Sequence, residues 1–279
     1  MEKDIQKAVA LFTLAATKEN SFAAFALGKL YLAGDAALPR DPAAALKWLT
    51  YAAELGNQFA QYRLGKLLLK GDDGIPKDVI TAIRWLTAAA KQENGYAEYA
   101  LALVYLTGED APKDSVKALS LLKRSAGRGN QFAQYRLGKL LLQGEDAPKD
   151  VKAAIRWLTA AAEQGNQYAQ YALGKLYLLG KEVPKDRSSA IKWFQLAADQ
   201  GNEYAQYFLK HMDDRLGQPP VAAVISLFHH LANIFQEQNQ PPPSGGVRVA
   251  VDRKLLRKIK AKKIAQGHKA DDHEPEMQL

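Results

Sequence analysis

GNQFAQYRLGKLLL, Gly56 to Leu69, recurs letter for letter at Gly129 to Leu142, and a near copy, GNQYAQYALGKLYL, runs from Gly165 to Leu178. Self-similarity at a period of about 20 to 50 residues is the signature of a stacked repeat protein, in which each unit buries its apolar face only against its neighbours. With the Asn of each copy as a phase marker, the positions are Asn20, Asn57, Asn94, Asn130, Asn166 and Asn202, in steps of 37, 37, 36, 36 and 36 residues. The identical copies lie 73 residues apart, which points to a recent two-unit duplication and to a duplicated, undiversified surface.

Two helices are legible in each unit. Helix A follows Gly-Asn, with Asn as the N-cap that satisfies free amides of the first turn. Alanine at plus three (Ala23, Ala60, Ala97, Ala133, Ala169, Ala205), leucine at plus seven (Leu27, Leu64, Leu101, Leu137, Leu173, Leu209) and an apolar residue at plus ten (Leu30, Leu67, Val104, Leu140, Leu176, Met212) share one face, the expected buried one. Glycine at plus eight (Gly28, Gly65, Gly138, Gly174) lies inside this helix. It costs about 1 kcal/mol relative to alanine there, so it implies close approach of a neighbouring helix. A second glycine at plus fourteen fits a left-handed helix end. Pro and Asp then announce helix B: Asp41, Asp78, Asp114, Asp150 and Asp186 are its expected N-caps, and Pro42 suits a first helical position. All four tryptophans, Trp48, Trp85, Trp157 and Trp193, fall nine residues before the next marker, which reads as core rather than as a ligand box.

AQYRLGKLLLKG and, after it, IPKDVITAIRWLTAAAKQ resemble the Sel1-like repeat, a relative of the tetratricopeptide repeat that pairs an A-x-Y-x-L-G helix with an A-x-x-W-x-x-x-A-A helix. The resemblance covers five complete units and a half-unit at each end. It implies an all-α, right-handed α-solenoid of helix-turn-helix repeats used as an adaptor surface, and no catalysis.

The expected organisation has five parts. Residues 1–19 are the second half of a truncated repeat, which predicts a longer natural polypeptide, and 20–216 are the solenoid with a final half-unit. A capping helix follows at 217–239, with VAAVISLFHHLANIFQEQ forming one apolar face, then a Pro/Gly linker at 240–247 and a basic helix with an acidic tail at 248–279. The histidines there, His229, His230, His268 and His273, meet no metal-ligand spacing. SLFHHLANIFQ, the proline linker and VDRKLLRKIKAKKIAQGHKADDHE also resemble the C-terminus of repeat-bearing plasmid and conjugative-element mobilisation relaxases. That resemblance implies an accessory DNA-processing role without the nuclease domain, because the tyrosine and histidine cluster of such nucleases has no match here.

The chain has no cysteine, which excludes disulfides, thiolate metal sites and cysteine nucleophiles. No nucleophile set, phosphate loop or ligand set is present, so no enzyme, cofactor or metal is expected. No apolar run is long enough for a bilayer and the N-terminus lacks a signal-peptide pattern, which predicts a cytoplasmic chain with no membrane partner. The formal charge of +8 is concentrated: residues 247–269 hold nine Lys or Arg against Asp252 alone. Arg253, Lys254, Arg257, Lys258, Lys260, Lys262 and Lys263 are the candidate nucleic-acid contacts, although a basic amphipathic helix also suits anionic surfaces and other helices.

On helix A the phases plus six, plus nine and plus thirteen fall within about 60 degrees of one another. They form the candidate binding stripe: Arg63, Lys66 and Lys70 in one unit, Arg136, Lys139 and Gln143 two units later, with Lys29 and Lys175 at the same phase elsewhere. The aromatics Phe59, Phe132 and Tyr168 at plus two share this arc. A protein or peptide ligand is expected on this face, with single-stranded nucleic acid as the weaker reading; the alternative is that the lysines only solvate it and the aromatics pack between units. A monomer is expected.

Overall fold

The repeated caps divide the chain into helices, most of them 13 residues long. The computed structural model describes residues 5–71 and 74–212. Within them lie α1 (Ile5–Ala16), α2 (Ser21–Ala33), α3 (Pro42–Glu54), α4 (Gln58–Lys70), α5 (Val79–Lys91), α6 (Gly95–Thr107), α7 (Ser115–Gly127), α8 (Gln131–Gln143), α9 (Val151–Glu163), α10 (Gln167–Leu179), α11 (Arg187–Asp199) and α12 (Glu203–Met212). Among the described residues there is no strand beyond an isolated bridge between Asp35 and Leu38. Even-numbered helices are the A helices and odd-numbered ones the B helices. The expected capping helix at 217–239, the linker at 240–247 and the basic tail at 248–279, including Arg253, Lys254, Arg257, Lys258, Lys260, Lys262 and Lys263, lie outside the described residues, as do 213–216.

The caps are those the spacing implies. Asn57 Oδ1 accepts from the amides of Phe59 and Ala60 at 3.1 and 3.0 Å, and Asp78 Oδ1 accepts from the Thr81 amide at 3.0 Å. Pro42 opens α3, where its missing amide leaves no bond unmade. The plus-fourteen glycines all have positive φ, but only Gly108, Gly144 and Gly180 are left-handed helical; Gly34 and Gly71 extend to ψ 160° and 140°. Those two belong to the 37-residue units, so the extra loop residue is taken up in the glycine's ψ. In the same two units the plus-ten leucines, Leu30 and Leu67, are only half-buried, whereas Val104, Leu140 and Leu176 are buried.

Successive helices pack against each other along the chain, which makes an all-α repeat solenoid. The plus-eight glycine explains the A–B contact. A Cβ on Gly65 would sit 2.6 Å from Leu86 Cγ, on Gly138 2.7 Å from Leu158 Cγ, and on Gly174 2.7 Å from a ring carbon of Phe194. Each missing side chain is a slot for one large residue of helix B. Leu49, Leu86, Leu158 and Phe194 are accordingly fully buried, and Leu122 is equally buried in the third unit, where Ala102 stands at plus eight. The tryptophans one residue earlier pack on the core only at its margin, half-buried. A two-helix layer encloses a leucine completely but leaves an edge of an indole outside.

Polar pairs add register between units. Gln61 donates to the Ala53 carbonyl at 3.0 Å and accepts from Gln92 Nε2 at 2.8 Å; Gln134 and Gln164 are 2.7 Å apart, and Gln170 and Gln200 2.8 Å. In the third unit the same two positions are Glu98 and Arg128. Glu98 is fully buried, 2.6 Å from Arg124 Nη2 and 3.3 Å from Arg128 Nε, a contact of charges without well-directed hydrogen bonds. Along the turns Lys77 meets Asp110 at 2.6 Å, Lys113 meets Asp146 at 2.8 Å and Lys149 meets Glu182 at 2.7 Å.

Two outcomes test this packing. Gly138→Ala should lower stability by about 1–2 kcal/mol, since overpacking Leu158 outweighs the gain in helix propensity. Unfolding by denaturant reads this, and an unchanged or raised midpoint contradicts the slot. The B-to-A turn has φ of 83° to 88° at Gly56, Gly129, Gly165 and Gly201, but 59° at Glu19. Glu19→Gly should therefore stabilise by roughly 0.5–1 kcal/mol in the same measurement, because the left-handed strain on a residue with Cβ disappears.

Candidate peptide-binding surface

From α2 to α10 helix A buries its plus-three and plus-seven positions, which leaves phases two, five, six, nine and thirteen on the opposite side; in α12 Ala205 is buried and Leu209 half-buried. An aromatic stands at plus two and plus five in every unit, and the structure joins them across units. Phe25 pairs with Phe59 at 6.4 Å between ring centroids, Tyr62 with Tyr96 at 5.9 Å, Tyr99 with Phe132 at 6.3 Å, Tyr135 with Tyr168 at 6.0 Å and Tyr171 with Tyr204 at 5.9 Å. Such separations suit offset or tilted ring pairs, each worth about 0.5–1.5 kcal/mol beyond area burial. The rings pack between units and still face outward: Phe59 is 47% exposed, Phe132 42% and Tyr168 38%. Sequence reasoning placed the plus-two rings on this arc but missed plus five, whose signal was an aromatic in all six copies.

The cations flank this ladder unequally. Lys29, Arg63, Lys66 and Lys70 are exposed, and the Nζ atoms of Lys29 and Lys66 lie 5.7 and 5.8 Å from the Phe25 and Tyr62 ring centroids. Gln143 is also exposed, whereas Arg136, Lys139 and Lys175 are half-buried. The expectation of an undiversified duplicate is thus corrected: Arg136 and Lys139 repeat Arg63 and Lys66 in sequence, not in environment. Their neighbours differ, because α8 lies between α6 and α10 while α4 lies between α2 and α6.

Electrostatics follow that placement. Burial pushes the Lys139 ammonium below its ordinary range, with Arg136 adding repulsion, and burial does the same at Lys175, helped by Lys139 and Lys181. Arg136 Nε is buried with no hydrogen-bond partner. The Asp146 carboxylate within its field is engaged by Lys113 at 2.8 Å and by the Ser115 hydroxyl at 2.7 Å. Among the described residues no group of His, Asp and Glu could hold a metal ion, and no helix is long and apolar enough to cross a membrane.

Burial raises the Tyr135 phenol to about 12 against the lowering by Arg136, and Tyr62, Tyr99 and Tyr171 are also raised chiefly by burial. The folded chain keeps these protons to a higher pH than the unfolded one. Their contribution is whole below about pH 10 and is lost as pH climbs toward the folded value. Tyr135→Phe should reduce the alkaline loss of stability by on the order of 2 kcal/mol. Denaturant unfolding at about pH 9 and pH 11.5 measures it; equal loss in both proteins would refute the buried phenol.

The Sel1 repeat model matches residues 1–20, 21–57, 58–94, 95–130, 131–166 and 167–202. A Sel1 repeat protein from Oxalobacter formigenes is 34% identical, with TM-score 0.68 over 76% of this chain and 61% of its own. The protein c5321, a protective antigen of uropathogenic Escherichia coli strains with an SLR fold, is 29% identical, with TM-score 0.68 over 86% of this chain and 53% of its own. This chain therefore spans three fifths and about half of those two relatives. No curated protein matches it. The family match follows the same Asn-to-Asn phase that the caps, glycine slots and aromatic ladder obey, and the chain belongs to the Sel1 repeat family.

Proposed function

We propose that the chain is a non-catalytic interaction scaffold that holds a protein or peptide segment along its A helices. The observation that carries this is the partly exposed ladder of aromatic pairs from α2 to α12, flanked by Lys29, Arg63, Lys66, Lys70, Arg136, Lys139, Gln143 and Lys175. Exposed aromatic and basic side chains on a rigid frame are the residue types that dominate binding energy at protein interfaces. Sel1 repeats generally serve as protein-interaction scaffolds, which supports the same reading. Simultaneous alanine substitution of Arg63, Lys66, Arg136 and Lys139 should reduce recovery of the partner in a pull-down by about tenfold or more. Unchanged recovery argues against this surface.

A second reading rests on the basic segment. Nine Lys or Arg against one Asp at 247–269, with the relaxase-like pattern around them, favour an accessory region of a DNA-mobilisation protein that holds DNA through its C-terminal tail. Filter binding of duplex DNA with and without residues 247–279 tests it. The expected result is a steep salt dependence that disappears with the tail; binding that is absent, or indifferent to the tail, rejects it.

A further inference from the structure

The outer face changes character along the array, and its first two units form a patch of their own. On α2 and α4 the plus-nine lysine stands beside a ring of its own helix: Lys29 Nζ is 5.7 Å from the Phe25 centroid and Lys66 Nζ 5.8 Å from that of Tyr62. Both lysines are exposed, so the ring places the ammonium while its donors still face solvent. Rings also connect the two placements. Phe25 meets Phe59 of α4 at 6.4 Å, and Phe59, Tyr62, Arg63 and Lys66 follow on α4 at spacings of three, one and three, which keeps them on one side of the helix. Neither SFAAFALGKLYLA nor QFAQYRLGKLLLK contains an acid, and among the described residues no carboxylate pairs with Lys29, Arg63 or Lys66. The next unit puts Ala100 and Leu103 at plus six and plus nine, so the basic stretch ends there, while the rings run on through Tyr62 and Tyr96 at 5.9 Å.

The spacing of the patch identifies the kind of segment that fits it. Neighbouring A helices stand about one helix diameter apart, so Lys29 and Lys66, at the same phase, recur at a pitch of roughly 10 Å. A β-strand covers that distance in about three residues, but side chains three apart then point to opposite faces. A polyproline II helix rises about 9.3 Å in three residues and brings every third side chain back to the same face. The rings ask for the same conformation. Phe22, Phe59 and Tyr96 are exposed, and aromatic-lined surfaces of this kind take the prolines of a preformed polyproline II segment. A phosphate backbone, by contrast, needs a longer track of cations than two units supply.

We infer that the outer face of α2 and α4 docks an acidic polyproline II segment of a partner protein. Its carboxylates, three residues apart, meet Lys29 on one helix and Lys66 with Arg63 on the next, and the prolines between them lie on Phe25, Phe59 and Tyr62. This rests on the scaffold reading and names the class of partner for its first two units. The half-buried Arg136 and Lys139 lie outside the subsite.

The test is fluorescence anisotropy on the full chain with a fluorescein-labelled peptide of three Glu-Pro-Pro triplets. The controls are its Gln-Pro-Pro counterpart, a peptide of the same composition with glutamates at every second position, and labelled oligo(dT). The Glu-Pro-Pro peptide should bind about fivefold or more tightly than either control peptide. Lys66→Met should weaken it by about threefold or more and leave the Gln peptide unchanged, whereas Lys47→Met, an exposed lysine on α3, should alter neither. Phe59→Ala should weaken the Glu and Gln peptides alike, by about threefold or more, because it removes only the seat of the prolines. Lys29→Met should match Lys66→Met, and provides the readout if that variant melts abnormally. No binding of the Glu-Pro-Pro peptide, equal binding of the Gln or respaced peptide, or equal effects at Lys47 and Lys66 overturns the inference. Oligo(dT) binding as tight as that of the Glu-Pro-Pro peptide, and as sensitive to Lys66→Met, overturns it in favour of nucleic acid. The pull-down with the fourfold alanine variant decides the scaffold separately, because partner loss there together with no preference among the peptides removes only the acidic polyproline occupant.

Discussion

The close seat of one large helix B side chain on a helix A glycine is the contact on which the rest of the solenoid depends. Leu49 on Gly28, Leu86 on Gly65, Leu158 on Gly138 and Phe194 on Gly174 bring two backbones together where a single methyl group would intrude. Glycine weakens an isolated helix, so its presence mid-helix is offset by the complete burial of its partner, worth about 1.5–3 kcal/mol for a side chain of this size. The slot also sets the direction in which each helix faces. With plus three, plus seven and plus eight turned inward, plus two, plus five, plus six and plus nine share the opposite side of α2 to α10, whereas in α12 the plus-six residue Phe208 is buried against Phe194.

Between units the structure uses matched pairs rather than one invariant contact. The plus-four residue of one unit meets the residue two before the next Asn, as Gln61 with Gln92, Gln134 with Gln164 and Gln170 with Gln200, and as Glu98 with Arg128 where both partners change. A buried carboxylate alone would carry a heavy desolvation cost, so the exchange to Glu98 is tolerable only with Arg124 and Arg128 beside it. These couplings fix the relative placement of consecutive A helices, and the aromatic pairs at 5.9 to 6.4 Å are its visible product on the outer face. The candidate binding surface is therefore a consequence of how units stack, and no single unit contains it.

Much of this was legible in the chain itself. The 36- and 37-residue spacing, the Asn and Asp caps, the glycine slot and the alanine and leucine stripe each follow from local rules, and each is where the spacing put it. The regular recurrence of the tryptophans marks them as core, and they are core at the margin; the fully buried residue is the neighbour one step on, because recurrence reveals a packed position but not how far a large ring can enter. The glutamine pairs and the plus-five aromatics went unread for a related reason. Their partners are about 30 residues away, and a pattern within one helix cannot show what stands opposite.

GNQFAQYRLGKLLL by itself determined a capped helix, its buried face and its membership of a stacked array, since these depend on bonds and periodicities internal to the segment. Its two copies have the same residues, and only the tertiary structure made them different. Arg63 and Lys66 are exposed beside α2 and α6, while Arg136 and Lys139 are half-buried beside α6 and α10. Solvation and the field of neighbouring charges are set by what packs alongside, so identical sequence carries identical helices but not identical electrostatics.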